Sequence, residues 1–306
     1  MSIASSGNLS QDFDLFVGID WTGAQPARGV AVAACDAGGL VSMVRSAGRH
    51  WQRAEAMGWL AGQVESGRRV LAGIDCGFSL PWVPGVGYLD GRVPAAATLF
   101  DLWQLVEDAS AGAPDDFAGP AVWHPLLAPS FWINGPTPAH WGDGRTKRRR
   151  TEVVAAETGA GTPVSVFKLA AAAKQVGKAS LAGMRSLLRL KRRLGDRIAI
   201  WPAEAPVGTD GRPRSVVCEI YPTLFRKQAL ASVRKVTAGT VLAPALVRYG
   251  ARLAADVPEL FDDHLGDALI SAAGLRVLAR HTSAWNPPAL DGETACREGW
   301  IFGVGA

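Results

Sequence analysis

Cysteine, tyrosine and histidine are all scarce in this chain of 306 residues, which holds 4 Cys, 3 Tyr and 5 His. The cysteines, Cys35, Cys76, Cys218 and Cys296, are scattered. They have neither the close pairs of a zinc site nor the density of a disulfide framework, and are expected to be small buried residues. No apolar run is long enough to span a bilayer, so no membrane partner is expected. Met1 to Asp12 is polar and lacks the basic and apolar run of a secretion signal, which makes a cytoplasmic protein the expectation. Low-complexity sequence is absent too. Charge of one sign is only slightly in excess, at net +4, and the excess is local. Arg145, Lys147, Arg148, Arg149 and Arg150 form one basic cluster, and Arg185, Arg189, Lys191, Arg192 and Arg193 another. Such clusters attract phosphates, with a solvated surface as the other reading of each.

What is present is a set of short apolar runs that end on acids. Leu15 to Asp20 reads as a buried strand, and Gly29 to Ala34 and Leu40 to Arg45 read as two more around the hairpin signal Ala37-Gly38-Gly39. Trp51 to Glu65 has helical spacing, and Arg69 to Asp75 is a second apolar strand. A strand, helix, strand passage makes a right-handed crossover to a parallel neighbour. Asp20 and Asp75 would then emerge together at the strand edge where open α/β sheets bind ligands. Arg197 to Trp201 and Ser215 to Pro222 are later candidate strands, the second carrying Glu219. Helices are expected over 94–111, 178–194, 223–230 and 241–255. The proline- and glycine-rich stretch from 77 to about 163 reads as an insertion or lid. Its aromatic residues, among them Trp132 and Trp141, beside the arginines suit stacking of unpaired bases, or else a small aromatic core.

The helix that starts near Asp262 is apolar almost all round, yet its first turns hold Asp262, Asp263, His264 and Asp267. At about 100° per residue, Asp263 and Asp267 lie about 40° apart and His264 about 60° from Asp267, so the groups can converge. Asp262 or Asp263 can act simply as a cap. Capping does not explain Asp267, a turn further in. A carboxylate on an apolar helix calls for a metal or a buried cationic partner. Hard cations such as Mg²⁺ and Mn²⁺ want oxygen ligands, and two ions about 4 Å apart use several carboxylates to activate water and stabilise a leaving oxygen.

The meander, the crossover to parallel strands and the acid-bearing final helix resemble the ribonuclease H-like fold of ribonucleases H, integrases and Holliday-junction resolvases. More narrowly, Gly18-Ile19-Asp20, Gly73-Ile74-Asp75 with Leu80-Pro81, Gln175-Val176-Gly177-Lys178, Glu219-Ile220-Tyr221-Pro222 and Asp262 to Ala268 resemble the family called domain of unknown function 429. Its members are predicted ribonuclease H-like nucleases. The resemblance runs over about 15–280. It implies an α/β fold with a mixed five-stranded sheet, forming one domain over 13–281 with the insertion at 77–163 and a tail over 282–306. The acid that ribonucleases H carry on the first helix has only Glu55 or Glu65 as counterparts, so a resolvase-like arrangement with His264-Leu265-Gly266-Asp267 fits better.

The expected function is a Mg²⁺- or Mn²⁺-dependent nuclease working by a two-metal mechanism. Asp20, Asp75, Asp267 and Asp263 would hold metal, with Glu219 and His264 completing the catalytic set. Nucleic acid would be the partner, met by Arg145, Lys147, Arg148, Arg149, Arg150 and Trp132, with Lys168, Lys174 and Lys178 as further phosphate contacts. Two alternatives stand beside it. One is a phosphotransferase of the actin-like or sugar kinase type, using Asp20-Trp21-Thr22-Gly23 and Asp75 to Ser79 as phosphate loops. The other is a non-catalytic nucleic-acid or protein binding module.

Overall fold

The computed structural model describes residues 13–133, 135–136, 147–169 and 176–306. Arg145, Lys174, Gln175 and Trp141 lie outside the described residues. Strand β1 (Leu15–Asp20) pairs antiparallel with β2 (Ala31–Asp36), which pairs antiparallel with β3 (Leu40–Val44). Helix α1 (Arg53–Glu65) then returns the chain to β4 (Val70–Ile74), parallel to β1. A two-stranded ribbon, β5 (Trp82–Val83) and β6 (Gly87–Tyr88), leads to α2 (Leu99–Ala109), which Thr98 and Asp101 start with a reciprocal capping box. After α3 (Arg150–Glu157) comes the long amphipathic α4 (Val176–Leu194). Next are β7 (Ile198–Ile200), β8 (Ser215–Glu219), α5 (Pro222–Leu230), α6 (Gly239–Arg248) and β9 (Arg252–Leu253). Last come α7 (Asp263–Leu278), α8 (Thr282–Trp285) and α9 (Gly292–Arg297).

The main sheet has 7 strands in the order β7-β8-β4-β1-β2-β3-β9, where five were expected. The five central strands run as the sequence suggests, the candidate strand at 197–201 becomes the short edge β7, and β9 is a short edge on the other side. β7 lies parallel to β8. β9 falls within a segment that reads as helix: α6 ends where Gly250 takes φ +59°, and the chain then lies extended beside β3. No described helix is long and apolar enough to cross a membrane.

Strand alternation divides the core between the two faces of the sheet. Leu15, Val17 and Ile19 of β1 and Val70, Ala72 and Ile74 of β4 join one hydrophobic cluster with residues of α1, α2 and α4. Phe16 and Leu71 join the other, with residues of α5, α6 and α7. The period of two therefore puts Gly18, Gly73, Asp20 and Asp75 on the α7 side. The 282–306 segment, expected as a tail, closes this second core through Trp285, Trp300, Phe302 and Val304. Within it, Ile301 forms an isolated parallel bridge to Glu219.

Helix α7 sits directly on β1 because β1 has no side chain at Gly18. A Cβ there would lie 2.2 Å from the Ala268 carbonyl oxygen and 2.8 Å from the Ala272 nitrogen, both backbone atoms that cannot rotate away. Gly18→Ala is expected to destabilise the protein by about 1–3 kcal/mol, read as a lower denaturant midpoint, by lifting α7 off the sheet.

Candidate active site

Two backbone facts bring the acids together. Gly18 and Ile19 are in register with Gly73 and Ile74, and Asp75 N donates to Ile19 O at 2.9 Å, so Asp20 and Asp75 end adjacent parallel strands on the same face. Helix α7 then lays its N-terminal turns over that edge. Asp262 caps it, its Oδ1 accepting from Leu265 N at 2.8 Å, and the next turn carries the chemistry. His264 Nδ1 lies 2.5 Å from Asp20 Oδ2. Asp20 and Asp267 are only 6% and 1% exposed, while Asp75 and Asp263 are half-buried.

The fields in the cluster push its members in opposite directions. Burial raises the proton affinity of Asp20, the bond from His264 opposes this, and the charge of Asp267 adds to it. Asp75 is raised well above the usual carboxylate range by burial, then by the charges of Asp20 and Asp267, with hydrogen bonding to Asp20 a lesser cause. His264 moves up as well, because its bond to Asp20 outweighs burial and the charges of Asp20, Asp263 and Asp262 assist. A raised histidine stabilises the fold fully below the ordinary value near 6.5, and that contribution is lost as pH rises through the folded-state value. Histidine titration by NMR is expected to show His264 above 6.5 in the parent protein and lowered in Asp20→Asn. An unchanged His264 would mean that the contact with Asp20 does not form in solution.

Two cations that the sequence reading did not assign complete the site. Arg226 of α5 donates from Nη1 to Asp267 Oδ1, and Lys235 Nζ donates to Asp267 Oδ2. Lys235 Nζ is also 3.4 Å from Asp263 Oδ2. Burial opposes the charge on Lys235, but the bond and charge of Asp267, with the charge of Asp20, raise its proton affinity. A signal existed for Arg226: it is a basic residue among the buried Leu224, Phe225 and Ala229, the counterpart of an acid on the apolar α7.

Glu219 does not join the acids. In β8 it is in register with Ile74, whereas Cys218 pairs with Gly73, so Glu219 points to the opposite face of the sheet from α7. There Arg149 grips it with two bonds, Nη2 to Oε1 at 2.6 Å and Nη1 to Oε2 at 2.7 Å, and Phe78 N adds another at 2.9 Å. Arg149 also donates from Nε to Glu152 Oε1 at 2.9 Å and is only 2% exposed. Expected as a phosphate contact, it is instead a buried internal pin, because a guanidinium so enclosed is unavailable to an outside anion. Its neighbours Lys147 and Arg148 are half-buried and Arg150 is exposed. Trp132 is half-buried, with Lys168 Nζ 5.5 Å from its ring centroid and its backbone N donating to Phe167 O at 3.0 Å. Glu55 accepts from Ala47 N at 2.6 Å, and Glu65 pairs with Arg193 at 2.7 Å, so neither reaches the site.

The glycines offered as phosphate loops are filled by α4. A Cβ on Gly23 would lie 2.2 Å from the Lys178 carbonyl carbon, and one on Gly77 would lie 2.9 Å from Ser180 Oγ. Gly77 N donates to that same hydroxyl at 3.0 Å. Their backbones face protein rather than a nucleotide.

Among the described residues, no group of 3 or more His, Cys, Asp and Glu side chains is arranged to hold one metal ion. Both oxygens of Asp267 accept from Arg226 and Lys235, which removes it from a ligand set. Asp20 and Asp75 do suit a hard cation, being oxygen donors at adjacent strand ends, with the charges of Asp20 and Asp267 acting against ionisation of Asp75 that a positive charge would relieve. Mg²⁺ commonly takes one or two carboxylates and keeps its remaining waters, so this pair fits one such ion and not two. No protein-family model matches the chain, and no curated protein or solved structure matches it either.

Proposed function

We propose that this protein is a divalent-metal-dependent phosphodiesterase acting on nucleic acid, built on a ribonuclease H-like sheet of the kind that the sequence resemblance implies. The observation that carries the reading is the placement of Asp20 and Asp75 at the ends of adjacent parallel strands, where the charge of Asp20 helps raise the proton affinity of Asp75. Among the described residues neither carboxylate is ion-paired with a lysine or arginine, and Asp20 is met only by His264, at the sheet edge where open α/β sheets bind ligands. The antiparallel β1-β2-β3 meander, parallel β4 and β8, and a final helix bearing His264 and Asp267 support the fold assignment.

In this reading Asp20 and Asp75 would hold Mg²⁺ or Mn²⁺ together with water. The ion supplies Lewis-acid polarisation of a phosphoryl oxygen and a more acidic water. The chain does the rest. Asp20 holds His264 at Nδ1, which fixes the ring and raises its proton affinity, so that the imidazole can carry a proton to or from the reacting phosphate. Asp263 and Asp267 hold Lys235 beside the acids, with a positive charge that suits a phosphate. The filled glycines after β1 and β4 weigh against the phosphotransferase alternative.

Incubating the protein with Mn²⁺ and a panel of single-stranded, duplex and branched DNA and RNA tests the proposal. Cleavage of at least one substrate is expected, lost with chelator and lost in a folded Asp75→Asn variant. Cleavage that persists unchanged in Asp75→Asn would assign the activity elsewhere.

A further inference from the structure

A site that works with two divalent ions needs carboxylates free to hold both, and this one has already committed half of them. Asp267 accepts from Arg226 on one oxygen and from Lys235 on the other. Asp263, the next acid toward solvent, faces the same Lys235 ammonium at 3.4 Å. Arg226 is 4% exposed and is braced by Thr223 Oγ1 at 2.8 Å, so it is a fixed part of the core. Lys235 is different. Its side chain is 48% exposed, so its ammonium is open to a ligand as well as to the acids.

Its position is nonetheless built in. The loop that carries Lys235 lies flat on the first turn of α7: a Cβ on Gly266 would be 1.9 Å from the Val236 carbonyl oxygen, a contact that only glycine permits. Val236 is 1% exposed, and Phe261 N donates to Thr237 O at 3.0 Å, which ties the far side of the loop down. Lys235 is therefore delivered to Asp263 and Asp267 by backbone packing rather than resting there as a surface side chain.

We infer that the Lys235 ammonium takes the role that a second divalent cation has in two-ion phosphodiesterases, so that this site binds one ion only. The inference rests on the metal-dependent reading above. The contacts favour it: Arg226 and Lys235 occupy both oxygens of Asp267 and Lys235 also faces Asp263, so that among the described residues Asp20 and Asp75 are the two acids of the cluster paired with no arginine or lysine. The division of labour follows from the chemistry. An ammonium can stabilise negative charge on a phosphate oxygen, but unlike a metal it has no bound water to acidify. Lys235 is thus assigned to the phosphate, and water activation to the Asp20 and Asp75 side.

Mn²⁺ titration by calorimetry, followed by electron paramagnetic resonance of the loaded protein, tests this in the full chain with Lys235→Met, Lys235→Gln and Lys235→Arg. The half-exposed position tolerates all three, and circular dichroism checks folding. The parent protein and Lys235→Arg are expected to bind one Mn²⁺ with the six-line spectrum of an isolated ion. Lys235→Met and Lys235→Gln, which free Asp263 and one oxygen of Asp267, are expected to bind two, with spectra broadened by coupling between neighbouring spins. Two ions in the parent, or one ion in all four proteins, would overturn the inference while leaving the metal-dependent reading intact. No ion bound by any of the folded proteins would overturn that reading, and the inference with it.

Discussion

Asp75→Asn is expected to melt at a higher temperature than the parent protein in metal-free buffer, although it removes a residue at the centre of the site. The Asp75 carboxyl is raised well above its ordinary 3.8 by burial and by the charges of Asp20 and Asp267. A raised acid destabilises the fold when ionised. That penalty is absent below about pH 4 and grows as pH rises from the unfolded value to the folded one. The amide keeps the shape and removes the charge, so the gain should appear near neutral pH and vanish toward pH 4. In a chain of this size a stability change of about 1 kcal/mol moves the melting temperature by about 2–4 °C, the scale at which thermal scans resolve the gain. Thermal scans of both proteins between pH 4 and 8 with chelator present make the comparison. A variant less stable than the parent across that range would mean that Asp75 is held by a favourable partner and that the repulsion described above is not there. Active-site residues commonly sacrifice stability in this way.

Arg149→Met is expected to have the opposite signature, a large loss of stability with the site intact. The substitution leaves Glu219 and Glu152, 3% and 1% exposed, without the guanidinium that binds both. Breaking a buried pair by removing one partner costs about 3–5 kcal/mol, because the remaining charge stays in a medium that solvates it poorly. Burial already pushes Glu152 up to about 7 against the pull of Arg149, and without that pull it would take up a proton. The loss reaches several elements at once. Arg149 Nη1 also donates to Glu298 O at 3.3 Å, and the Glu298 carboxylate accepts from Trp82 N and Arg150 N at 2.6 Å each. One cluster thus fastens α3, the β5-β6 ribbon and the C-terminal segment to the end of β8. Urea denaturation should show the drop, while Mn²⁺ affinity below the transition stays within about twofold of the parent. Lost Mn²⁺ binding at unchanged stability would place Glu219 and Arg149 in the site after all.

The central architecture was legible because it depends on strong local patterns. Leu15–Asp20 and Val70–Ile74 are short apolar runs bounded by acids and glycines, and the 13 residues of α1 between them have one apolar stripe, so the parallel pairing of β1 and β4 followed. The face of Glu219 was not legible. It depends on the register of β8 against β4, which no single-strand pattern fixes when both faces are buried. The basic cluster misled for a related reason. Composition marked Arg149 as one cation among several, whereas a capping geometry at α3 and two buried glutamates turn it inward. Lys235 and Arg226 were missed because their partner Asp267 is 32 and 41 residues away, across a chain reversal. The need for a buried cation was readable from Asp267 on an apolar helix; its source was not.

The proposed activity requires that Asp20 and Asp75 together hold a divalent cation. Calorimetric titration of Mn²⁺ into the parent protein, Asp20→Asn and Asp75→Asn, each checked for folding, measures that without any choice of substrate. One ion bound by the parent and none by either variant is the predicted result. Equal binding by all three folded proteins, or no binding by the parent, would contradict it.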